Sequence, residues 1–336
     1  MPDQHVDDAV RWYAASLPEL EAATERWIGL VAAILDEAGV NYLSVTGRTK
    51  SVASFAAKAS RESDGRQLNP DPLRDITDQV GVRVITYVVS DVEAVAELLA
   101  DQLHVLDDRD MGQLTAREGR FGYASRHLLV SEDLPADPSA DAAYEHPGYV
   151  PMRCASIQLR TVLQHAWAEF EHEIRYKGTV PAEYARDLDR RFTLAAGLLE
   201  LVDREFSTIR DTTQASLGGG PAPEAFANDP RISAQELTSF LAGRYASAGW
   251  SRTEHYGWMS ELLLELGIVS LDELSDTLRD IDSTAITERM GYRYPAGAVR
   301  RLDDDLLARF GRRYIGLHAN AHRVDGLQTR LDKLAD

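Results

Sequence analysis

The chain has 336 residues, 44% hydrophobic and 27% charged, which is long enough for two domains and has a globular rather than a disordered composition. Its formal net charge is −18, divided as −14 over residues 1–219 and −4 from Gly220 onward. That argues against general binding to nucleic-acid backbones and requires a local basic pocket for any anionic ligand. No apolar run reaches the ~18 residues of a membrane span. The N-terminus lacks a secretory pattern and the single cysteine, Cys154, has no internal partner, so a cytoplasmic protein is expected.

In chain order, residues 8–37 are predicted to form one helix, with Trp12, Leu20, Trp27, Val31 and Leu35 on its apolar face and Gly39 as its stop. Val45-Thr-Gly-Arg-Thr-Lys50 reads as a basic turn, followed by a short helix over 51–59 and a loop over 64–72. Residues 80–89 alternate like a strand and 91–103 have a helical period, with further strands expected at 104–107, 123–130 and 151–160. The segment 156–177 reads as the end of a strand running into a helix, on which Leu163, Trp167, Phe170 and Ile174 form one apolar stripe. A long amphipathic helix is expected over 183–213, then a linker at Gly218-Gly-Gly-Pro-Ala-Pro223, then helices from 230 to the end. The expected division is an N-terminal helix (1–39), an α+β domain with a trailing helix (40–215), a linker (216–229) and an all-helical C-terminal region (230–336).

Four constellations carry chemistry. Arg48 and Lys50, with Ser54 and Lys58 four apart on the next helix, can wrap a triphosphate with charge and helix N–H groups. Asp78, at the mouth of the strand that carries Arg83, is a candidate Mg²⁺ ligand, because Mg²⁺ takes one or two carboxylates plus phosphate oxygens. In the third, Gly122 lets a ligand approach the backbone, Tyr123 can stack on a base, and Ser125 and His127 follow on the strand. The fourth joins Gln158 and Arg160 to Gln164, His165, Glu169, His172, Arg175 and Lys177. Its His165, Glu169 and His172 have metal-ligand spacing, but a phosphate-facing set of Arg160, His165, Arg175 and Lys177 suits the same segment better.

In this order and spacing, the four sets resemble the RelA/SpoT nucleotidyltransferase domain, the synthetase module of alarmone enzymes, over about residues 40–177. The matching residues are Arg48-Thr-Lys50 with Ser54 and Lys58, Asp78-Gln-Val-Gly-Val-Arg83, Gly122-Tyr-Ala-Ser-Arg-His127, Gln158-Leu-Arg-Thr161 and Gln164-His-Ala-Trp-Ala-Glu169 through Tyr176-Lys177. The resemblance implies a mixed five-stranded sheet flanked by helices, and transfer of pyrophosphate from ATP to the ribose 3′-hydroxyl of GDP or GTP. It also implies roles: Arg48, Lys50 and Lys58 on the ATP phosphates, Asp78 on Mg²⁺, Tyr123 stacked on guanine, and His127, Arg160 and Lys177 on the phosphates. Ser54 and Arg83 belong to the ATP side of the expected site, and Ser125 and His165 to the acceptor side. The chain contains no His-Asp dipeptide, so the hydrolase domain of bifunctional relatives is not indicated.

Two departures bear on activity. Ser156 stands where the family usually has a glutamate two residues before Gln158, on the strand face shared with Gln158 and Arg160. A serine lacks the charge of a general base, whose loss typically costs ~10²–10⁴ in rate; Glu169 or Glu171 is the substitute in reach. Gly119 stands where a lysine often precedes Gly-Tyr, which bears on the acceptor's 5′ phosphates. The leading expectation is an ATP-dependent 3′-pyrophosphokinase in which Asp78, Ser156, Gln158 and Glu169 form the reacting centre. One alternative is a pyrophosphokinase acting on the 3′ end of tRNA, with Arg300, Arg301, Arg309, Arg312 and Arg313 as a basic patch. The other is a nucleotide-binding regulatory protein that has lost catalysis. A protein partner or a second copy docking on the C-terminal helices is a further expectation.

Overall fold

Proline, glycine and β-branched residues set the course of the first hundred residues in the computed structural model. It describes residues 2–113, 125–133, 145–177, 182–217, 230–249, 251–292, 294 and 296–335. These form two compact units, 1–34 with 42–205, and 35–41 with 206–336.

In the first unit, the single helix expected over 8–37 is two, α1 (Pro2–Ala15) and α2 (Leu17–Glu37). Pro18 has no N–H to donate to Ala14 and its ring crowds that carbonyl, so the break falls at Ser16. The expected basic turn is instead a strand, β1 (Tyr42–Thr49), favoured by β-branched Val45, Thr46 and Thr49. Gly47 lies inside it because α2 crosses there: a Cβ would stand 2.8 Å from Ile28 Cδ1 and 2.9 Å from Thr24 Cγ2. Helix α3 (Val52–Ala59) follows, with the Ser51 hydroxyl accepting from the Ser54 N–H as its N-cap. Part of the expected loop is a small hairpin, β2 (Glu62–Ser63) with β3 (Arg66–Gln67). Its turn residues Asp64 and Gly65 have φ of 51° and 74°, as a two-residue primed turn requires.

After α4 (Pro72–Asp75) come β4 (Val80–Thr86), α5 (Val89–Gln102), β5 (His104–Asp110), β6 (Arg126–Ser131) and β7 (Cys154–Thr161). The sheet order is β1-β4-β7-β6-β5, with β4 and β7 parallel and every other pair antiparallel. The mixed five-stranded sheet is therefore present. One face is apolar: Val82 and Val84 register with Ile157 and Leu159, beside Leu128, and all are buried. The alternate positions, Gly81, Arg83, Ser156, Gln158, Arg160 and His127, share the other face, which is the polar one.

Thr161 passes directly into α6 (Val162–Lys177), and α7 (Ala182–Leu217) follows. The stripe expected on α6 is narrower than its period suggested. Trp167 is buried against Phe192 and Ala196 of α7, but Phe170 is 55% exposed and Ile174 38%.

The second unit is helical: α8 (Ala234–Arg244), α9 (Thr253–Leu266), α10 (Leu271–Thr277), α11 (Ser283–Met290), α12 (Ala298–Phe310), α13 (Arg312–Ile315) and α14 (Val324–Ala335). Leu237, Leu241, Leu262, Leu263, Leu274 and Leu278 are buried in its core as expected, and Phe240 packs partly buried against them. Helix α12 also buries Asp303 and Asp304, paired with Arg323 and Arg330. Arg300 is not part of a surface patch, because it donates to the Glu37 carbonyl and the Tyr292 hydroxyl and pairs with Asp304. Buried carboxylates need such partners, which draws this arginine inward.

Candidate functional site

The site is built around Asp78, in the segment between α4 and β4. The Gln79 side chain, fully buried, donates to the carbonyls of Leu73 (2.7 Å) and Ile76 (3.0 Å) and fixes that segment. The Gln79 carbonyl accepts from the Lys50 N–H (2.9 Å) and the Lys50 carbonyl from the Tyr13 hydroxyl (2.6 Å), so the backbone at Lys50 is held on two sides. Tyr13 stacks on Phe55 of α3 at 4.1 Å, and Asn69 donates to the Lys58 carbonyl, which sets the last turn of α3. Sequence reasoning missed these supports; for Gln79 the signal was a polar residue leading into an apolar strand.

The two lysines converge on one carboxylate. Lys50 Nζ lies 2.6 Å from Asp78 Oδ2 and Lys58 Nζ 3.1 Å from Oδ1. Burial pushes the Asp78 carboxyl up, but the hydrogen bond from Lys50 and the charge of Lys58 outweigh it and hold the group below its ordinary value. Burial and the Asp78 charge raise the Tyr13 phenol to about 12, so it stays protonated and donates.

Beside Asp78 is a cleft of about 90 Å³, lined by Thr46, Gly47, Arg48, Asp78, Gly81, Val82, Arg83, Ser156 and Gln158. The register makes it: Arg48 pairs with Gly81, Gly81 with Ser156, and Arg83 with Gln158. A Cβ on Gly81 would meet nothing nearer than the Arg48 carbonyl at 3.5 Å, so the packing does not demand glycine. A longer side chain there would instead enter the cleft.

A second set joins β7, β6 and α6 to this cleft. Arg83 pairs with Glu169 at 2.9 Å, and His165 Nδ1 lies 3.7 Å from the same carboxylate oxygen. Arg160 is 7% exposed and donates to Gln158 Oε1 at 3.0 Å. Burial, with Arg83 and Arg48 nearby, lowers its pKa to about 10, which leaves it cationic at neutral pH. His127 pairs in register with Gln158 and Arg109, and its Nε2 is 2.7 Å from the Ser125 hydroxyl. Burial and the Arg109 charge push the His127 imidazole down, and burial with Arg83 does the same to His165, so both are neutral near pH 7. His127 therefore meets the Ser125 hydroxyl as a neutral hydrogen-bonding group.

Arg48, Lys50, Lys58, Asp78, Arg83, Ser156, Gln158, Arg160, His165 and Glu169 therefore belong to one connected site. Ser54 serves the cap of α3 and does not line the cleft. Gly119, Gly122 and Tyr123 lie outside the described residues. Lys177 ends α6, but its side chain and that of Arg175 are outside what is described. Among the described residues no group of three His, Cys, Asp or Glu side chains could hold a metal ion, which removes the His165-Glu169-His172 set as a metal site.

A family profile described as "Region found in RelA / SpoT proteins" matches residues 47–180. The GTP pyrophosphokinase YjbM of Bacillus subtilis is 33% identical over 177 residues, 51% of this chain and 72% of that protein. The GTP pyrophosphokinase YwaC of the same organism is 28% identical over 153 residues, 44% of this chain and 66% of that protein. Among solved structures, the small alarmone synthetase 1 of Bacillus subtilis bound to its product pppGpp is similar at 28% identity and a TM-score of 0.46, covering 61% of this chain and 98% of that one.

Proposed function

The chain belongs to the RelA/SpoT family, and for it we propose Mg²⁺-dependent transfer of a pyrophosphoryl group from ATP to the 3′-hydroxyl of GDP or GTP. The observation that carries this reading is the convergence of Lys50 and Lys58 on Asp78 at the edge of a cleft holding Arg48, Arg83 and Gln158. That is a cationic pocket for phosphates with one carboxylate built into it. The GTP pyrophosphokinase YjbM, of which the chain spans 72%, supports the same chemistry.

Asp78 fits Mg²⁺ as the carboxylate that lines the cleft, since one carboxylate suffices when phosphate oxygens complete the shell, and the ion would take its oxygens from Lys50 and Lys58. When bound, the ion supplies neutralisation of the phosphate charge. Arg48, Lys50 and Lys58 hold the triphosphate and align its β-phosphorus with the acceptor. The acceptor's 3′-oxygen attacks that phosphorus, the bond to the oxygen bridging the α-phosphate breaks, and AMP leaves. Ser156 offers no carboxylate, so Glu169, held through Arg83 at the cleft, takes the hydroxyl proton. Most of the rate then comes from positioning and charge neutralisation.

Incubation with γ-labelled ATP and, separately, GDP, GTP or bulk tRNA tests the reading. Label on GDP or GTP is expected. Label on tRNA alone would replace the acceptor, and no transfer with nucleotide binding retained would make the protein a binder.

A further inference from the structure

The inward face of α7 reads Phe192, Ala196, Leu199, Asp203, spaced i, i+4, i+7, i+11. The first three pack under Trp167 of α6, with Leu199 only partly buried. The fourth is a carboxylate with 4% exposure where an apolar residue would continue the stripe, and a buried acid in that position needs a reason. Its Oδ2 accepts from the hydroxyl of Thr161 at 2.9 Å, 42 residues away in sequence. Thr161, fully buried, is the last residue of β7 and the cap of α6: its hydroxyl accepts from the Gln164 N–H (3.2 Å) and its own N–H donates to Gln164 Oε1 (2.9 Å). The hydroxyl has one proton. Directing it at Asp203 turns a lone pair toward Gln164, so the carboxylate fixes the orientation in which Thr161 caps the helix.

This elbow is where the two halves of the site diverge. Ser156, Gln158 and Arg160 leave on β7, and His165 and Glu169 leave on α6, reaching back to Arg83. We propose that Asp203 is a positioning residue of the active centre, which through Thr161 sets the angle between β7 and α6 and so holds Glu169 at Arg83. The effect on turnover rests on the pyrophosphoryl-transfer reading. The effect on geometry does not. Burial raises the Asp203 carboxyl above its ordinary value and the Thr161 hydrogen bond opposes this, consistent with a group kept for its acceptor oxygen.

The test is a double-mutant cycle on the full chain. Asp203→Ala and Thr161→Val are each expected to lower kcat by ~10–100-fold, the scale of a misplaced reacting group, with KM for ATP within about twofold because Arg48, Lys50 and Lys58 lie on other elements. The double variant should be no worse than either single one. Asp203→Asn keeps an acceptor oxygen and should restore kcat to within about threefold. NMR of the His165 imidazole, beside Glu169, gives a second reading: its signal should shift in Asp203→Ala and Thr161→Val and return in Asp203→Asn. If Asp203→Ala does not fold, Thr161→Val carries the comparison. Wild-type kcat and an unshifted His165 signal in a folded variant overturn the proposal. If the wild type transfers no label, the function proposed above fails, and the His165 signal alone decides the role of Asp203.

Discussion

The most informative perturbation is Ser156→Glu. On β7 this position faces Gly81 and shares a sheet face with Arg83, Gln158 and Arg160. A new carboxylate would meet a positive field. At ~6 Å and an effective dielectric near 20, each guanidinium interacts with it by roughly 3 kcal/mol. Arg83 is already paired with Glu169, so Arg48 and Arg160 supply the attraction, against the Asp78 charge in the same cleft and a desolvation penalty of several kcal/mol. The variant should fold with the introduced carboxylate ionised, supported by the glycine opposite, which leaves the side chain room. If proton removal limits turnover and the new carboxylate is better placed than Glu169, the rate of label transfer from ATP should rise, by less than the ~10²–10⁴ that a base contributes over none, with KM for ATP little changed. Glu169→Gln should then cut turnover strongly in the native background and weakly in the Ser156→Glu background, because the base has been supplied elsewhere. The assay is the initial rate of label transfer from γ-labelled ATP to GDP or GTP, with a thermal melt to confirm folding. A folded Ser156→Glu variant no faster than the native chain, together with a Glu169→Gln variant of native rate, would refute a carboxylate base at either place.

Gly81→Leu should fold with a near-native Tm, since only the Arg48 carbonyl and side chain approach a Cβ there, yet lose nucleotide binding measured by calorimetry as the side chain fills the cleft. Lys50→Met and Lys58→Met should each raise KM for ATP, with the larger loss at Lys50, whose side chain is 10% exposed against 34% for Lys58; a native KM in both variants would show that the lysines serve Asp78 alone. Asp305, buried and hydrogen-bonded to Tyr245 at 2.6 Å, has its pKa raised to about 6, chiefly by burial. A raised carboxyl favours the fold at low pH and loses that benefit as pH climbs from the unfolded value near ~4 through about 6, an effect of order 3 kcal/mol. Asp305→Asn should therefore be more stable than the native chain at pH 7.5, with the gap narrowed to about 1 kcal/mol at pH 4.5 and closed near pH 3 in thermal melts; a pH-independent difference would contradict this.

The strand periodicity was enough to place Ser156, Gln158 and Arg160 on one face, because alternation is local to the backbone. It was equally able to place Lys58 one turn beyond Ser54 on a helix leading back to the site. What it could not show is which partner meets each face. Gly47 in a basic segment looked like a turn, and only the passage of Thr24 and Ile28 over it reveals a strand that must be thin at that point. Phe170 and Ile174 have the spacing of a core stripe, but spacing identifies a side of the helix and not whether anything covers it. The break at Pro18 and the Asp64-Gly65 hairpin had local signals, which the expectation of one helix over 8–37 and a loop over 64–72 passed over. The Thr161–Asp203 hydrogen bond was not, since nothing in either segment points to the other.

The charge distribution ties these readings together. A chain of net charge −18 repels polyphosphates at a distance, so an anionic substrate must be drawn by the site itself. Around the cleft stand Arg48, Lys50, Lys58, Arg83 and Arg160, and against them Asp78 and Glu169. Both acids are held by cations that the proposed reaction assigns to phosphates: Asp78 by both lysines, Glu169 by Arg83. Such pairing keeps the basic set ordered and prevents the arginines and lysines from repelling one another. It also means that a triphosphate must compete with Asp78 for Lys50 and Lys58. Added Mg²⁺ should ease that competition by taking the carboxylate, so ATP affinity should rise with Mg²⁺ in the native chain and respond much less in Asp78→Asn. Equal Mg²⁺ dependence of ATP binding in the two proteins, measured by calorimetry, would place the ion elsewhere and leave Asp78 a structural anchor for the lysines.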